Sequence, residues 1–116
     1  MSASPRKIHF IGIGGVGMSG IALVAHQRGL RVSGSDMKES RTVLQLRQAG
    51  IEVHVGHSAA NLAEDVDTVV ISTAIPEKNP ELAAARERGL DIWHRSHMLA
   101  FLGVGKKTLS CAGTHG

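Results

Sequence analysis

Five apolar, strand-like runs alternate with helix-like segments, and a glycine-rich turn joins the first run to the first helix. Together these predict an α/β fold: a doubly wound, Rossmann-like parallel sheet in a single domain, with right-handed crossovers. The turn is the more specific observation. The run Ile8-His9-Phe10-Ile11 ends in Gly12, Gly14 and Gly17, and a helical pattern follows at once. That is the order a strand, a phosphate-cradling turn and a helix require. Gly12 lets the chain leave the strand sharply. Gly14 removes a Cβ that would hold a pyrophosphate off the backbone, and Gly17 lets the helix pack on the sheet. The helix start then offers unpaired N–H groups and partial positive charge to an anion. A glycine-rich turn with only a packing role is the plainer alternative, because 14 glycines in 116 residues make chance matches easy.

Taken in order, residues 1–6 read as a flexible start and 7–13 as the first strand, apolar almost throughout, as a strand covered on both faces should be. The first helix is predicted over 16–28, with Gly29 at its C-terminal stop. Met18, Ile21, Ala22 and Ala25 recur at helical spacing and should face the sheet, while His26, Gln27 and Arg28 should lie at the solvated end. Residues 30–36 read as a second strand ending in Asp36. Ser40 can cap a helix over 41–49 that stops at Gly50. Residues 51–55 alternate apolar and polar, which places that strand nearer a sheet edge. Ser58 to Leu62 can form one helical turn. Residues 67–73 form a strand with a β-branched centre. Asn79-Pro80-Glu81 is a helix start, with a cap, a proline at the first position and an acid in the first turn, running to Arg88. Residues 90–93 are a short strand, Ser96 can cap a helix through Leu102, and 107–112 read as a last strand.

The 116 residues suit one core, and 42% hydrophobic content argues for a globular fold. Net charge is +3, and the thirteen Lys and Arg are scattered. An anionic small molecule fits this better than nucleic acid, which wants a basic stripe. Phe10, Trp93 and Phe101 are the only aromatics, too few for a base-stacking platform. Cys111 is alone, so no internal disulfide can form, and no run approaches the length of a membrane span. The N-terminus carries no apolar signal-peptide core. A cytoplasmic protein with no membrane partner is the expectation.

In such sheets ligands bind beyond the carboxyl ends of the strands. Each end carries a polar or glycine-rich group: Gly12 to Gly17, then Ser35 and Asp36, then Gly56 and His57, then Ser72, Thr73 and Ala74. Asp36 lies 19 residues after Gly17, near where an acid grips a ribose hydroxyl; a turn-capping aspartate is the alternative. His57 can donate to or stack on a base, or be an ordinary solvated loop histidine. Ser72 and Thr73 can offer hydroxyls or simply end the strand. His94, His97 and His115 show no metal-ligand spacing, and no catalytic triad or carboxylate pair can be argued, so no metal site and no catalytic residue is expected here. The chain ends Ala112-Gly113-Thr114-His115-Gly116 after a strand, like a P-loop cut before its lysine, although a plain tail reads the same way.

The stretches Ile8 to Met18, Ser33 to Asp36, Ser72 to Ile75, Asn79-Pro80-Glu81, His94 to Leu99 and the terminal Ala112 to Gly116 together resemble the Mur ligase family, in order and over residues 7–116. The resemblance implies a cytoplasmic three-domain enzyme of peptidoglycan synthesis. Residues 1–103 would be its Rossmann-like UDP-sugar-binding domain, and 104–116 a linker and the start of a central ATPase domain. The implied reaction uses ATP and Mg²⁺ to phosphorylate the carboxylate of UDP-N-acetylmuramate, and L-alanine attacks the acyl phosphate. Carried over by position, Gly12, Gly14, Gly15, Val16, Gly17, Met18 and Ser19 would hold the UDP diphosphate. Asp36, His57 and Ser72, Thr73, Ala74 and Ile75 would surround uridine. Gly113, Thr114, His115 and Gly116 would be an incomplete ATP loop, so this chain alone should bind no ATP and show no ligase activity. A relative that attaches a ready-made tripeptide to the same sugar nucleotide is the alternative, against which Gly14-Gly15-Val16-Gly17 argues. Two others are an NAD-binding regulatory domain and a non-catalytic sugar-nucleotide sensor. Members often carry Glu or Gln where His97 stands, which puts any role for an acid there in doubt.

Overall fold

The apolar run at the N-terminus becomes the central strand, because β1 (Lys7–Ile11) is covered on both faces and pairs on both edges. The structure is a computed structural model and describes residues 5–103. The expected strand at 107–112, the loop Gly113 to Gly116 and the domain boundary after 103 lie outside the described residues.

The remaining strands are β2 (Arg31–Asp36), β3 (Glu52–Val55), β4 (Thr68–Ile71) and β5 (Asp91–His94). All pairs are parallel, in the order β3-β2-β1-β4-β5, so the chain winds out from β1 in one direction and then in the other. This is the doubly wound α/β sheet expected, with its switch point beside β1. The alternating 51–55 segment is an edge strand, as its pattern required.

The helices are α1 (Met18–Gln27), α2 (Arg41–Gln48), α3 (Pro80–Glu87) and α4 (Arg95–Leu102), with one 3-10 turn at Ala59–Asn61. Ile8 and Phe10 point from β1 into a core shared with Met18, Ile21, Ala22 and Ala25 of α1, Val43 and Leu46 of α2, and Met98 and Leu102 of α4. Ile11 points to the opposite face, where Val69, Leu82 and Ala85 of α3 and Leu62 and Val66 form a second core. The strand period of two separates the layers.

Several boundaries differ from expectation. The first strand stops at Ile11 rather than residue 13, because Gly12 and Ile13 both donate to Ser35 O (2.8 and 2.9 Å) and swing the chain over β2. Ile13 is fully buried there, and only a glycine fits beneath it: a Cβ on Gly34 would lie 2.5 Å from Ile13 Cδ1. The first helix starts at Met18, two residues late, since Gly17 is its N-cap at φ 84. The last helix is capped not by Ser96 but by His94, whose Nδ1 accepts from Ser96 N–H at 3.2 Å. His26 is not merely solvated, because its Nε2 lies 2.9 Å from Ala49 O and ties α1 to the end of α2.

Candidate functional site

The carboxyl ends of the strands open into a cleft of about 520 Å³, within the usual range for small-molecule sites. Its floor is the turn after β1. Gly12 sits at φ 78, a left-handed conformation that an L side chain strains to adopt. Gly15 N–H closes the turn on Gly12 O at 3.0 Å, and Met18 N–H returns to Gly15 O at 3.1 Å. Val16 and Gly17 are then the two turn residues whose N–H groups find no acceptor among the described residues. Val16 is 99% exposed at the start of α1. Two free N–H groups at a helix N-terminus are a ready anion site.

The expected site residues divide in two. Gly12, Gly15, Val16, Met18, Asp36 and His57 line the cleft, as do Ser72, Ala74 and Ile75. Gly14, Gly17, Ser19 and Thr73 do not. Gly14 is bare for a different reason from the one expected: a Cβ there would lie 2.9 Å from Asp36 Oδ2 and 3.2 Å from Val43 Cγ2. The space serves Asp36, whose Oδ2 accepts from Gly14 N–H at 2.9 Å. Asp36 also accepts from Lys38 N–H at 3.3 Å, so it caps its own turn and braces the glycine turn as well. A carboxylate has about four acceptor sites, so capacity remains for a ligand hydroxyl. Gly17 likewise does not face the sheet. A Cβ on it would lie 2.6 Å from Arg95 Nη1.

Arg95 is the main cleft residue that sequence reasoning missed. It starts α4, reaches back over Gly17, and makes no ion pair or hydrogen bond among the described residues. Lys38 is a second cation on the cleft wall without an ion pair among those residues, and Met37 lies beside it. Neither could be placed by spacing, since the long separation from Gly17 to Arg95 closes only through the sheet. His97, by contrast, turns away and stacks on Trp93 with ring centroids 3.8 Å apart. Among the described residues no group of three or more His, Cys, Asp or Glu could hold a metal ion.

Behind His57 lies a buried polar cluster that the sequence did not reveal. Glu81, read only as an acid in a first helical turn, is fully buried. Its Oε1 accepts from His9 Nε2 and Ser35 Oγ, both at 2.6 Å. Its Oε2 accepts from Asn61 Nδ2 (2.9 Å), Ser58 N–H (3.1 Å) and His57 Nδ1 (3.3 Å). Burial pushes the carboxyl up, but hydrogen bonds from His9, Ser35 and Asn61 outweigh it and hold the pKa at about 2. His9, Ser33 and Ser35 fall on one face of β1 and β2, and His9 Nδ1 meets Ser33 Oγ at 2.9 Å. Three polar residues on one face of two covered strands were the available signal that a buried partner was needed.

The five-stranded parallel sheet, with its glycine turn and a cleft at the switch point, defines a Rossmann-like α/β domain. The family model described as "Mur ligase family, catalytic domain" matches residues 7–106, and the chain belongs to that family. A UDP-N-acetylmuramate–L-alanine ligase from Symbiobacterium thermophilum is 55% identical over 112 residues, covering 96% of this chain and 23% of the relative. Among solved structures, the UDP-N-acetylmuramate–alanine ligase from Thermotoga maritima aligns with a TM-score of 0.75 at 43% identity, covering 78% of this chain and 21% of that one. The UDP-N-acetylmuramate:L-alanyl-γ-D-glutamyl-meso-diaminopimelate ligase from Neisseria meningitides has the same TM-score at 35% identity, covering 83% and 30%. The chain thus spans about a quarter of the length of the curated relatives it matches.

Proposed function

We propose that this chain is the UDP-N-acetylmuramate-binding domain of an ATP-dependent ligase that joins L-alanine to that sugar nucleotide. The observation that carries it is the cleft itself. The free N–H group of Val16 in the cleft, that of Gly17 next to it in the turn, and Arg95 beside both suit a diphosphate. Asp36 and His57 lie on the β2–β3 side, where a nucleoside belongs, and the Ser72–Ile75 turn borders the other side. In this arrangement the chain's own residues bind and orient the sugar nucleotide. Arg95 and the N-terminus of α1 neutralise the diphosphate. The Asp36 carboxylate stands clear of the phosphates, since like charge would repel them, and accepts from a ribose hydroxyl.

The phosphoryl donor and Mg²⁺ would supply carboxylate activation in the whole enzyme. The candidate loop for them, Gly113 to Gly116, lies outside the described residues. L-alanine rather than a tripeptide as co-substrate is supported by the 43% identity to the alanine-adding ligase of solved structure, against 35% to the tripeptide-adding one. Calorimetric titration tests the proposal. UDP-N-acetylmuramate should bind, and NAD should not compete. Tight NAD binding without response to the sugar nucleotide would replace this reading with the dinucleotide one.

A further inference from the structure

We propose that Glu81 is a positioning residue: with Ser35 it locks His57 in the Nδ1–H form, so that Nε2 faces the cleft as an acceptor and selects a base with an imide N–H, uracil over cytosine. For its ligand this rests on the UDP-sugar reading above; the protonation pattern rests on the hydrogen bonds alone.

The pattern follows from counting protons. Glu81 is ionised and can only accept. Ser35 has one hydroxyl proton, and the 2.6 Å contact with Glu81 Oε1 uses it. The 3.0 Å contact between Ser35 Oγ and His57 Nδ1 therefore has the ring nitrogen donating. The 3.3 Å contact from Nδ1 to Glu81 Oε2 requires the same proton. In a neutral ring the lone pair is then on Nε2. With Nδ1 turned inward, the opposite edge of the ring is left to the cleft it lines. The side chain is 16% exposed, and Nε2 has no partner among the described residues.

The same carboxylate holds the loop that carries His57. Ser58 N–H and Asn61 Nδ2 both end on Oε2, and Asn61 also donates to Gly56 O at 2.8 Å. Residues 56–61 are thus pinned on both sides of the imidazole. On the far side of Glu81, His9 donates from Nε2, the opposite tautomer, so one carboxylate sets two histidines in opposite senses. His9 is sealed in the core, whereas His57 reaches ligand.

Uracil carries N3–H between two carbonyls, and that hydrogen can be donated to Nε2. Cytosine presents a lone pair at N3, so two acceptors would face each other and neither could donate. A site built to accept from a ligand N–H rejects the analogue lacking it, because the acceptor that the bound base covers is left unpaired.

The test combines ¹⁵N NMR of the His57 ring in the full chain, slightly above neutral pH, with calorimetric titration of UDP and CDP. The expected spectrum has a pyrrole-type Nδ1 and a pyridine-type Nε2, and UDP should bind roughly tenfold tighter than CDP, or better. A ring protonated at Nε2, or equal affinity for the two nucleotides, overturns the proposal, and neither measurement needs a variant to fold. If neither nucleotide binds, the UDP reading fails with the base selectivity, while the spectrum still decides the tautomer. Glu81→Gln should bring the UDP-to-CDP ratio toward one and mix the tautomers; should it not fold, Ser35→Ala should lower the ratio in the same sense. An unchanged ratio in either folded variant would return Glu81 to a purely structural role.

Discussion

Arg95 and Gly17 show how single residues set the chemistry of the cleft. The guanidinium lies where a Gly17 side chain would be, and it has no internal carboxylate to neutralise it. Arg95→Ala should weaken UDP binding roughly tenfold or more, the scale of a lost charge-assisted hydrogen bond, with little change in melting temperature. A drop in stability without a drop in affinity would make Arg95 a packing residue. Gly17→Ala should act twice. A left-handed φ of 84 costs an L residue about 1–2 kcal/mol, and the new methyl would push Arg95 off the turn. Both melting temperature and UDP affinity should therefore fall. Gly14→Ala should behave differently, since its methyl meets Asp36 Oδ2 and Val43 Cγ2 rather than ligand. NMR of that variant should show displaced signals in α2 and at Asp36 even without ligand, and a free-state spectrum like the wild type would argue against this account.

At the scale of elements, α3 joins what was legible to what was not. Asn79-Pro80-Glu81 marks a helix start by local chemistry alone, and Asn79 Oδ1 does accept from Glu81 N–H (2.9 Å) and Leu82 N–H (3.2 Å). The first and third strands were legible for a similar reason, because β1, covered on both faces, is apolar apart from Lys7 and His9, and the edge strand β3 alternates. The destination of the Glu81 carboxylate was not. It is set by His9 on a strand 72 residues away and by a loop 20 residues away, contacts that exist only after the sheet forms. The cap of α4 was misplaced because a histidine at a strand end does not announce itself as a cap. Asn79→Ala should cost about 1 kcal/mol, measurable in urea. Glu81 has a pH signature. Its folded pKa, about 2, lies below the ordinary 4.5, so the unfolded chain binds the proton more readily. The stability it contributes is present above about pH 4.5 and is lost as pH falls toward 2. Glu81→Gln should flatten that limb of the stability curve. Asp65 is lowered too, by Lys7 first, but it is exposed, so added salt should remove its share and leave that of Glu81.

For the whole molecule, the cleft draws on both halves of the winding. Asp36 and His57 follow β2 and β3 on one side of β1, while Ser72 and Arg95 follow β4 and β5 on the other. A ligand lying across the switch point therefore touches both directions of the sheet. It should stabilise the fold as a unit rather than one loop. Ligand that binds only the folded state adds about 2.7 kcal/mol at a hundred times its dissociation constant. For a domain of this size that corresponds to a rise in melting temperature on the order of 10 °C. UDP-N-acetylmuramate should give this rise in scanning calorimetry, with a single transition that moves intact. Amide exchange should slow at the ends of β2 and β3 and at the starts of α1 and α4 together. UDP alone should give a smaller rise, because it lacks the sugar and the contacts that the sugar adds. Protection confined to the β2–β3 side with the complete sugar nucleotide would mean that Arg95 and the Ser72–Ile75 turn take no part in binding, and the proposed arrangement of the ligand across the sheet would have to be abandoned.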